Sequence, residues 1–303
     1  MKWEKYLFPA SLDEALAMLA EYDGQARVIA GGTDLVPQLK NKERTVKCLV
    51  DVSRLPELKG IHRQDDTIRI GAAITHQKLA SSRLLQEQAS VLAQGAAAVG
   101  SPQIRYMGTV GGNVVNAQPA ADTAIPLLAL DAEAEIAGPQ GTRREPLESL
   151  YVRPGESRVD ASSEILVALR FKALGAGESS AFARLAKRRA LSLPILNAAV
   201  VVHVEDGGRT LRDVSMALGP VALTPFRTRE AEAALRGQRW DAAIVQSALE
   251  VASKEAQPRT NPVRGSAEYR REMVKVLLRR ALEQALAGAQ VSKSQDTSQG
   301  SAG

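Results

Sequence analysis

The sequence predicts an α+β protein of about two domains, and three observations carry that prediction. The chain is 303 residues long, beyond the usual size of one domain. Through the first half, amphipathic helical stretches alternate with short apolar runs rich in Val and Ile. After about residue 175 the pattern changes to a long hairpin followed by helices. This places a first domain at 1–175, with subdomains at about 1–58 and 59–175, a second at 176–288, and a tail at 289–303.

The elements follow in order. "SLDEALAMLAEY" opens with Ser11 and carries Glu14 at capping-box spacing, with Leu12, Leu16 and Leu19 on one face. The strand "ARVIA" ends on Gly31-Gly32; helix-like "DLVPQLKN" and the strand "VKCLVDV" close a compact α/β unit. "DTIRIGAAIT" alternates as a strand, and Thr75 is placed to cap the next helical stretch. Residues 82–99 are helical by composition, whereas "GSPQIRYMGTVGGN" is rich in Gly and Pro and is expected to be a long loop. "ADTAIPLLALD" is a short helix, "AEAEIAGPQGTRREPL" a hairpin and "EILVALRF" a strand.

In the second half, "ILNAAVVVHVEDGGRTLRDVSMALG" is a hairpin around Gly207-Gly208. Three helices follow in "REAEAALRG", "WDAAIVQSALEVASKEA" and "SAEYRREMVKVLLRRALEQALAG". Ser266 is placed to cap the last, with Tyr269, Met273, Val276 and Leu277 on one face. Residues 289–303 are polar and low in complexity, and are expected to be disordered.

Composition removes several function classes. The formal charge of +5 is scattered among acids and aromatics are only 4%, so stacking platforms for nucleic acid are poorly supplied. The single cysteine, Cys48, lies in an apolar run and excludes both an internal disulfide and an iron–sulfur cluster held by this chain alone. His62, His76 and His203 lack metal-ligand spacing. No secretory h-region and no apolar run long enough to span a membrane is present, so the chain is expected to be cytoplasmic.

The two double glycines carry the functional signal. A glycine pair permits positive φ and exposes successive N–H groups. Such nests bind anions, phosphate above all. Gly31-Gly32 and Gly111-Gly112, far apart in sequence, are therefore expected to clasp a diphosphate from two sides. Thr33 and Thr109 add hydroxyls and Asn113 an amide, while the Asp34 carboxylate should point away or accept N–H groups within its loop. Either turn alone reads first as an ordinary tight connection; the recurrence favours the clasp. A Rossmann reading of "GAGESS", with a helix and a strand to Glu205-Asp206 after it, fails on sequence. Ser180 stands at the third glycine, "KAL" separates strand from turn, and the acids sit in a hairpin turn.

Three stretches together, "VIAGGTDLVPQLK", "GSPQIRYMGTVGGNVVNAQPAADTAIPLLALDAEAEI" and "VRGSAEYRREMVKVLLRRAL", resemble the FAD-binding medium subunit of the molybdenum hydroxylases. That family includes carbon monoxide dehydrogenase and bacterial xanthine dehydrogenases. The resemblance covers about residues 1–287 in the same order. It implies a two-subdomain FAD-binding domain of the vanillyl-alcohol-oxidase (PCMH) type, followed by a smaller α+β domain with a three-stranded antiparallel sheet and helices.

The resemblance also implies roles for particular residues. Val28, Ile29, Ala30, Gly31, Gly32, Thr33, Asp34 and Leu35 would wrap the diphosphate and ribityl chain of FAD. Thr109, Val110, Gly111, Gly112 and Asn113 would form the second clasp. Asp122 would accept a hydrogen bond from the flavin, or serve only as a helix N-cap. Leu166 would lie against the isoalloxazine, and Val99 stands where some relatives stack an aromatic; both are also readable as core. Arg184 and Lys187 would approach the ring, or form a solvated basic helix face. No catalytic side chain and no metal ligand is implied in this chain.

As implied partners, a large subunit would carry the molybdenum cofactor and a small one the [2Fe–2S] clusters, in a dimer of heterotrimers. FAD here would pass electrons between those clusters and an acceptor such as NAD. Two departures are visible: "PRTNPVRGS" lacks the acid that often precedes the motif, and no cysteine-bearing insert is present. Two other readings stand beside this one, a stand-alone reductase resembling the enolpyruvyl-UDP-sugar type and a flavin-free assembly scaffold. A covalently flavinylated oxidase is disfavoured, because neither glycine loop holds a histidine.

Overall fold

Strand β1 (Lys5–Leu7) leads into α1 (Leu12–Ala20), where the Ser11 hydroxyl accepts the Glu14 N–H at 3.2 Å as the capping spacing predicts. Strand β2 (Ala26–Ile29), helix α2 (Leu35–Lys40) and strand β3 (Cys48–Asp51) complete a three-stranded parallel sheet in the order β1-β3-β2. All four residues of β3 are buried, as the centre of a parallel sheet requires. This computed structural model describes residues 3–188, 191–205, 208 and 210–300, with side chains through Val291.

Strands β4 (Ile61–Gln64) and β5 (Thr67–Gly71) come next, then helices α3 (His76–Ser81), α4 (Arg83–Gln88) and α5 (Ser90–Ala98). The helical run expected at 82–99 is thus broken, at Ala89, where φ is −161°. The long loop expected after it is instead two short helices, α6 (Pro102–Met107) and α7 (Val110–Val115). Ser101 and Thr109 cap them, and Pro102 occupies the first helical turn, where a missing N–H costs nothing. Helix α8 (Ala124–Ala129) precedes the expected hairpin of β6 (Glu133–Gly138) and β7 (Gly141–Pro146). The small pair β8 (Tyr151–Arg153) and β9 (Glu156–Ser157) and then β10 (Ile165–Lys172) follow. A five-stranded antiparallel sheet results, in the order β4-β5-β10-β6-β7.

The last part opens with β11 (Glu178–Ala186), a strand where the sequence pattern suggested a helix. Arg184 is therefore on a strand, and the βαβ order that a Rossmann reading needs is absent. Strands β12 (Pro194–Glu205), β13 (Thr210–Gly219) and the two-residue β14 (Phe226–Arg227) make a four-stranded antiparallel sheet, one short strand more than expected. The β12–β13 hairpin forms as predicted, although Asp206 and Gly207 of its turn lie outside the described residues.

Helices α9 (Arg229–Leu235), α10 (Ala242–Glu255) and α11 (Ala267–Gly300) complete the chain. Val274, Leu277, Leu278 and Leu282 of α11 share a core with Val200, Val202 and Val204 of β12. Tyr269 and Val276 are exposed, so the buried stripe is offset from the expected face. Ala289 is buried and the Gln290 amide donates to the Gly208 carbonyl at 3.1 Å, which carries packing past the expected end at 288. The backbone stays helical to Gly300, where a disordered tail was expected; residues 301–303 lie outside the described residues. Among the described residues no helix is long and apolar enough to cross a membrane.

Contacts divide the chain into two compact units. Unit 1 comprises Met1–Leu79, Ser101–Gln118 and Asp131–Lys172; unit 2 comprises Ala80–Gly100, Pro119–Leu130 and Ala173–Gly303. Helix α5 belongs with unit 2 because β11 holds it: Val91 N–H donates to the Ser180 hydroxyl at 3.1 Å, and Phe182 N–H donates to the Gln94 side chain at 2.9 Å.

Candidate functional site

In unit 1 the chain leaves β2 at Ile29 and reaches the first glycine pair two residues later. The two glycines are required for different reasons. Gly32 has φ +66°, the left-handed region that side chains avoid. Gly31 has no such angle, but a β-carbon there would meet the Met107 carbonyl oxygen at 2.0 Å. Among the described residues, no hydrogen bond uses the N–H groups of Gly31, Gly32, Thr33 or Asp34. Four consecutive open donors ahead of α2 form the kind of cradle that anionic oxygens occupy. Asp34 makes no side-chain cap; burial raises its carboxyl above the usual carboxylate range, and a hydrogen bond with the Thr33 side chain opposes that rise.

The second glycine pair is built differently from the expectation. Neither glycine has positive φ; both lie in the first turn of α7. Gly111 N–H donates to the Ala72 carbonyl at 2.9 Å, and Gly112 N–H to the Thr109 hydroxyl at 3.1 Å. Their amides are thus engaged inside the chain, so this stretch is not a second open nest. It is a fixed wall: Val110 N–H binds the Ile74 carbonyl, His76 N–H binds the Gly108 carbonyl, and Ala72 fills the space a β-carbon on Gly111 would need. Gly112 is exposed and Asn113 half-buried at the open side.

The two turns do meet. Gly31 lies against Met107 and Gly108, and the Thr33 hydroxyl stands 3.4 Å from the β-position of Gly108. Beside them His76 is buried and its Nδ1 has no partner; burial, with the Arg105 charge adding, pushes the imidazole down to about 4. The ring is therefore neutral at ordinary pH and adds no cation to this end of unit 1. Leu166 is buried in β10, next to the register shift at Val167, whose carbonyl accepts Ala72 N–H. That bond ties β10 to the wall formed by the second glycine pair.

In unit 2 a buried polar group centres on Asp122. Its Oδ1 accepts from Arg184 Nε at 2.9 Å and from Asn197 Nδ2 at 2.9 Å. Arg184 also donates to the Ser192 carbonyl. Burial raises the Asp122 carboxyl above the usual carboxylate range, while the Arg184 charge and the two hydrogen bonds pull it back. Asp122 is not the N-cap of α8; Thr123 holds that position. Val99 is buried at the end of α5, and Lys187 is exposed just beyond β11. Sequence reasoning missed His76 and Asn197. The available signal for Asn197 was a lone amide inside the apolar run "ILNAAVVV".

Comparison with known proteins bears on both units. Residues 2–171 match the family model described as the FAD binding domain in molybdopterin dehydrogenase. Residues 181–285 match that of the CO dehydrogenase flavoprotein C-terminal domain. The chain is 33% identical to the 6-hydroxypseudooxynicotine dehydrogenase complex subunit alpha of Paenarthrobacter nicotinovorans, over 95% of this chain and 96% of that one. It is 30% identical to the xanthine dehydrogenase FAD-binding subunit of Escherichia coli O157:H7, over 92% and 95%. A solved carbon monoxide dehydrogenase from Hydrogenophaga pseudoflava superposes with a TM-score of 0.89 at 31% identity, covering 94% of this chain and 98% of that one. The chain belongs to the FAD-binding medium subunits of the molybdopterin dehydrogenases, the flavoprotein subunits of molybdenum-dependent dehydrogenase complexes.

Proposed function

We propose that this chain is the FAD-carrying electron-transfer subunit of a heterotrimeric molybdenum hydroxylase or dehydrogenase, with an FAD domain of the vanillyl-alcohol-oxidase type. The observation that carries the reading is the run of four open amides at Gly31–Asp34, braced against Met107 and Gly108. These donors fit the diphosphate of FAD: they are consecutive and uncommitted.

The roles of the chain's residues follow from that fit. The backbone from Val28 to Leu35 wraps the diphosphate, with Thr33 supplying a hydroxyl. Thr109 and Val110 hold the wall, Gly111 and Gly112 keep it thin, and Asn113 offers its amide. Leu166 supplies an apolar surface. Within unit 2, Asp122 accepts a hydrogen bond from the flavin, and Arg184 balances its charge. Val99 and Lys187 take lesser parts, one apolar and one cationic.

Bound FAD supplies the redox chemistry, between the [2Fe–2S] clusters of a small partner and an external acceptor such as NAD. The protein's share is binding, orientation and local charge. A large partner with the molybdenum cofactor completes the heterotrimer, and two heterotrimers associate. The names of the relatives, a complex subunit and an FAD-binding subunit, support a place in a multi-subunit complex.

Purification of the native complex tests the reading. It should yield three different chains, FAD, molybdenum and iron. A chain that purifies alone and without flavin would contradict it.

A further inference from the structure

Asn197 sits at the centre of β12 and is fully buried. Its Nδ2 is committed to Asp122, which leaves its Oδ1 a buried acceptor without a partner. The amide cannot be turned round to relieve this, because Oδ1 would then face a carboxylate oxygen. An unpartnered buried acceptor is costly, and an apolar residue in an apolar strand would avoid the cost. The amide is thus retained for what Nδ2 does.

What it does is visible at Asp122. Arg184 Nε and Asn197 Nδ2 both converge on the same oxygen, Oδ1. A carboxylate present only to neutralise Arg184 would be best served with both oxygens engaged, as in a two-pronged pair. Here Oδ2 has no partner among the described residues, and Asp122 keeps 8% of its surface open. Two donors on one oxygen fix the plane of the carboxyl group and present the other.

We propose that Asn197 is a positioning residue: it locks the Asp122 carboxyl group so that Oδ2 stays aimed at an N–H or O–H donor of the bound flavin. The inference rests on the flavin reading above and concerns a residue which that reading does not use.

FAD titration of the full-length chain, followed by flavin fluorescence, tests it. The wild type, Asn197→Ala, Asp122→Asn and the double variant are compared from neutral to mildly acidic pH, with thermal unfolding of each apo chain alongside. Asn197→Ala should weaken FAD binding about tenfold, the size of one hydrogen bond to a charged group. Its affinity should also begin to fall at a higher pH than in the wild type, because Asp122 has lost a bond that favours the ionised form. In the Asp122→Asn background the same substitution should add no further loss.

A lower unfolding temperature with unchanged FAD affinity and pH profile would show a purely structural role and overturn the inference. So would full additivity in the double variant. If Asn197→Ala does not fold, Asn197→Ser carries the same comparison. Failure of the wild type to take up FAD would remove the flavin reading and this inference together, whereas uptake with an unaffected Asn197→Ala removes this inference alone.

Discussion

A β-carbon on Gly31 would stand 2.0 Å from the carbonyl oxygen of Met107, so the two glycine turns of unit 1 touch through backbone. The neighbour is main chain held by its own bonds, including Gly108 N–H to the Ile104 carbonyl at 2.7 Å, and cannot simply step aside.

Gly31→Ala should therefore cost about 1–3 kcal/mol by overpacking and abolish measurable FAD binding. Gly32→Ala meets only the side chains of Ile29 and Val36, at 3.2 Å, but must hold φ near +66°. It should cost about 1–2 kcal/mol and leave weakened binding. Denaturant unfolding and FAD titration of both variants check this; equal affinities for both and for the wild type would contradict it.

Thr109→Ala removes the hydroxyl that accepts Gly112 N–H and should cost about 1 kcal/mol. Thr109→Ser keeps the acceptor and should recover most of that loss. Urea midpoints of the two variants separate a capping role from a packing role of the methyl group.

His76 links stability to acid. Its folded value, about 4, lies below the ordinary 6.5, so the unfolded chain binds the proton first. Its contribution is whole above about pH 6.5, is lost as pH falls toward about 4, and then levels, for a total of about 3 kcal/mol. His76→Leu should flatten that segment of the stability curve. Unfolding midpoints across this range check it, and parallel curves for the two proteins would refute it.

Arg184→Met should behave in the opposite sense. Burial already raises the Asp122 carboxyl, and without the guanidinium only Asn197 opposes that rise. The folded state then favours the protonated acid, so stability falls as pH rises through the raised value. The pair is almost fully enclosed, with side-chain exposures of 13% and 9%. A loss of about 3 kcal/mol is expected at neutral pH, shrinking in mild acid. Unfolding measured at both pH values decides it; a loss independent of pH would count against the ionised pair.

Much of the fold was legible because its signals are local. Ser11 with Glu14, the alternation of "DTIRIG", and the hairpin around "GPQG" each state their structure within a few residues. The loop expected at 100–113 failed because Pro102 and Gly111-Gly112 were read as breakers. At a helix start they are not: Ser101 and Thr109 supply the caps, and proline fits the first turn. The place of helix α5 was not legible, because its hydrogen bonds reach β11, nearly ninety positions away, as at Val91 and Ser180.

At the site, the positions of the glycines were legible and their reasons were not. Gly31 is required by a contact with Met107, and Gly111 by one with Ala72. No local pattern distinguishes such close approach from a turn. The commitment of the second pair's amides depends on the carbonyl of Ala72, which only the folded chain brings there.

The central claim is that the open amides of residues 31–34 hold a diphosphate. Calorimetric titration of the apo chain with FAD and with FMN, which carries a single phosphate, tests it most directly. FAD should bind at least about tenfold more tightly, and Gly31→Ala should remove measurable FAD binding. Equal affinity for the two flavins, or a preference for FMN, would contradict the account.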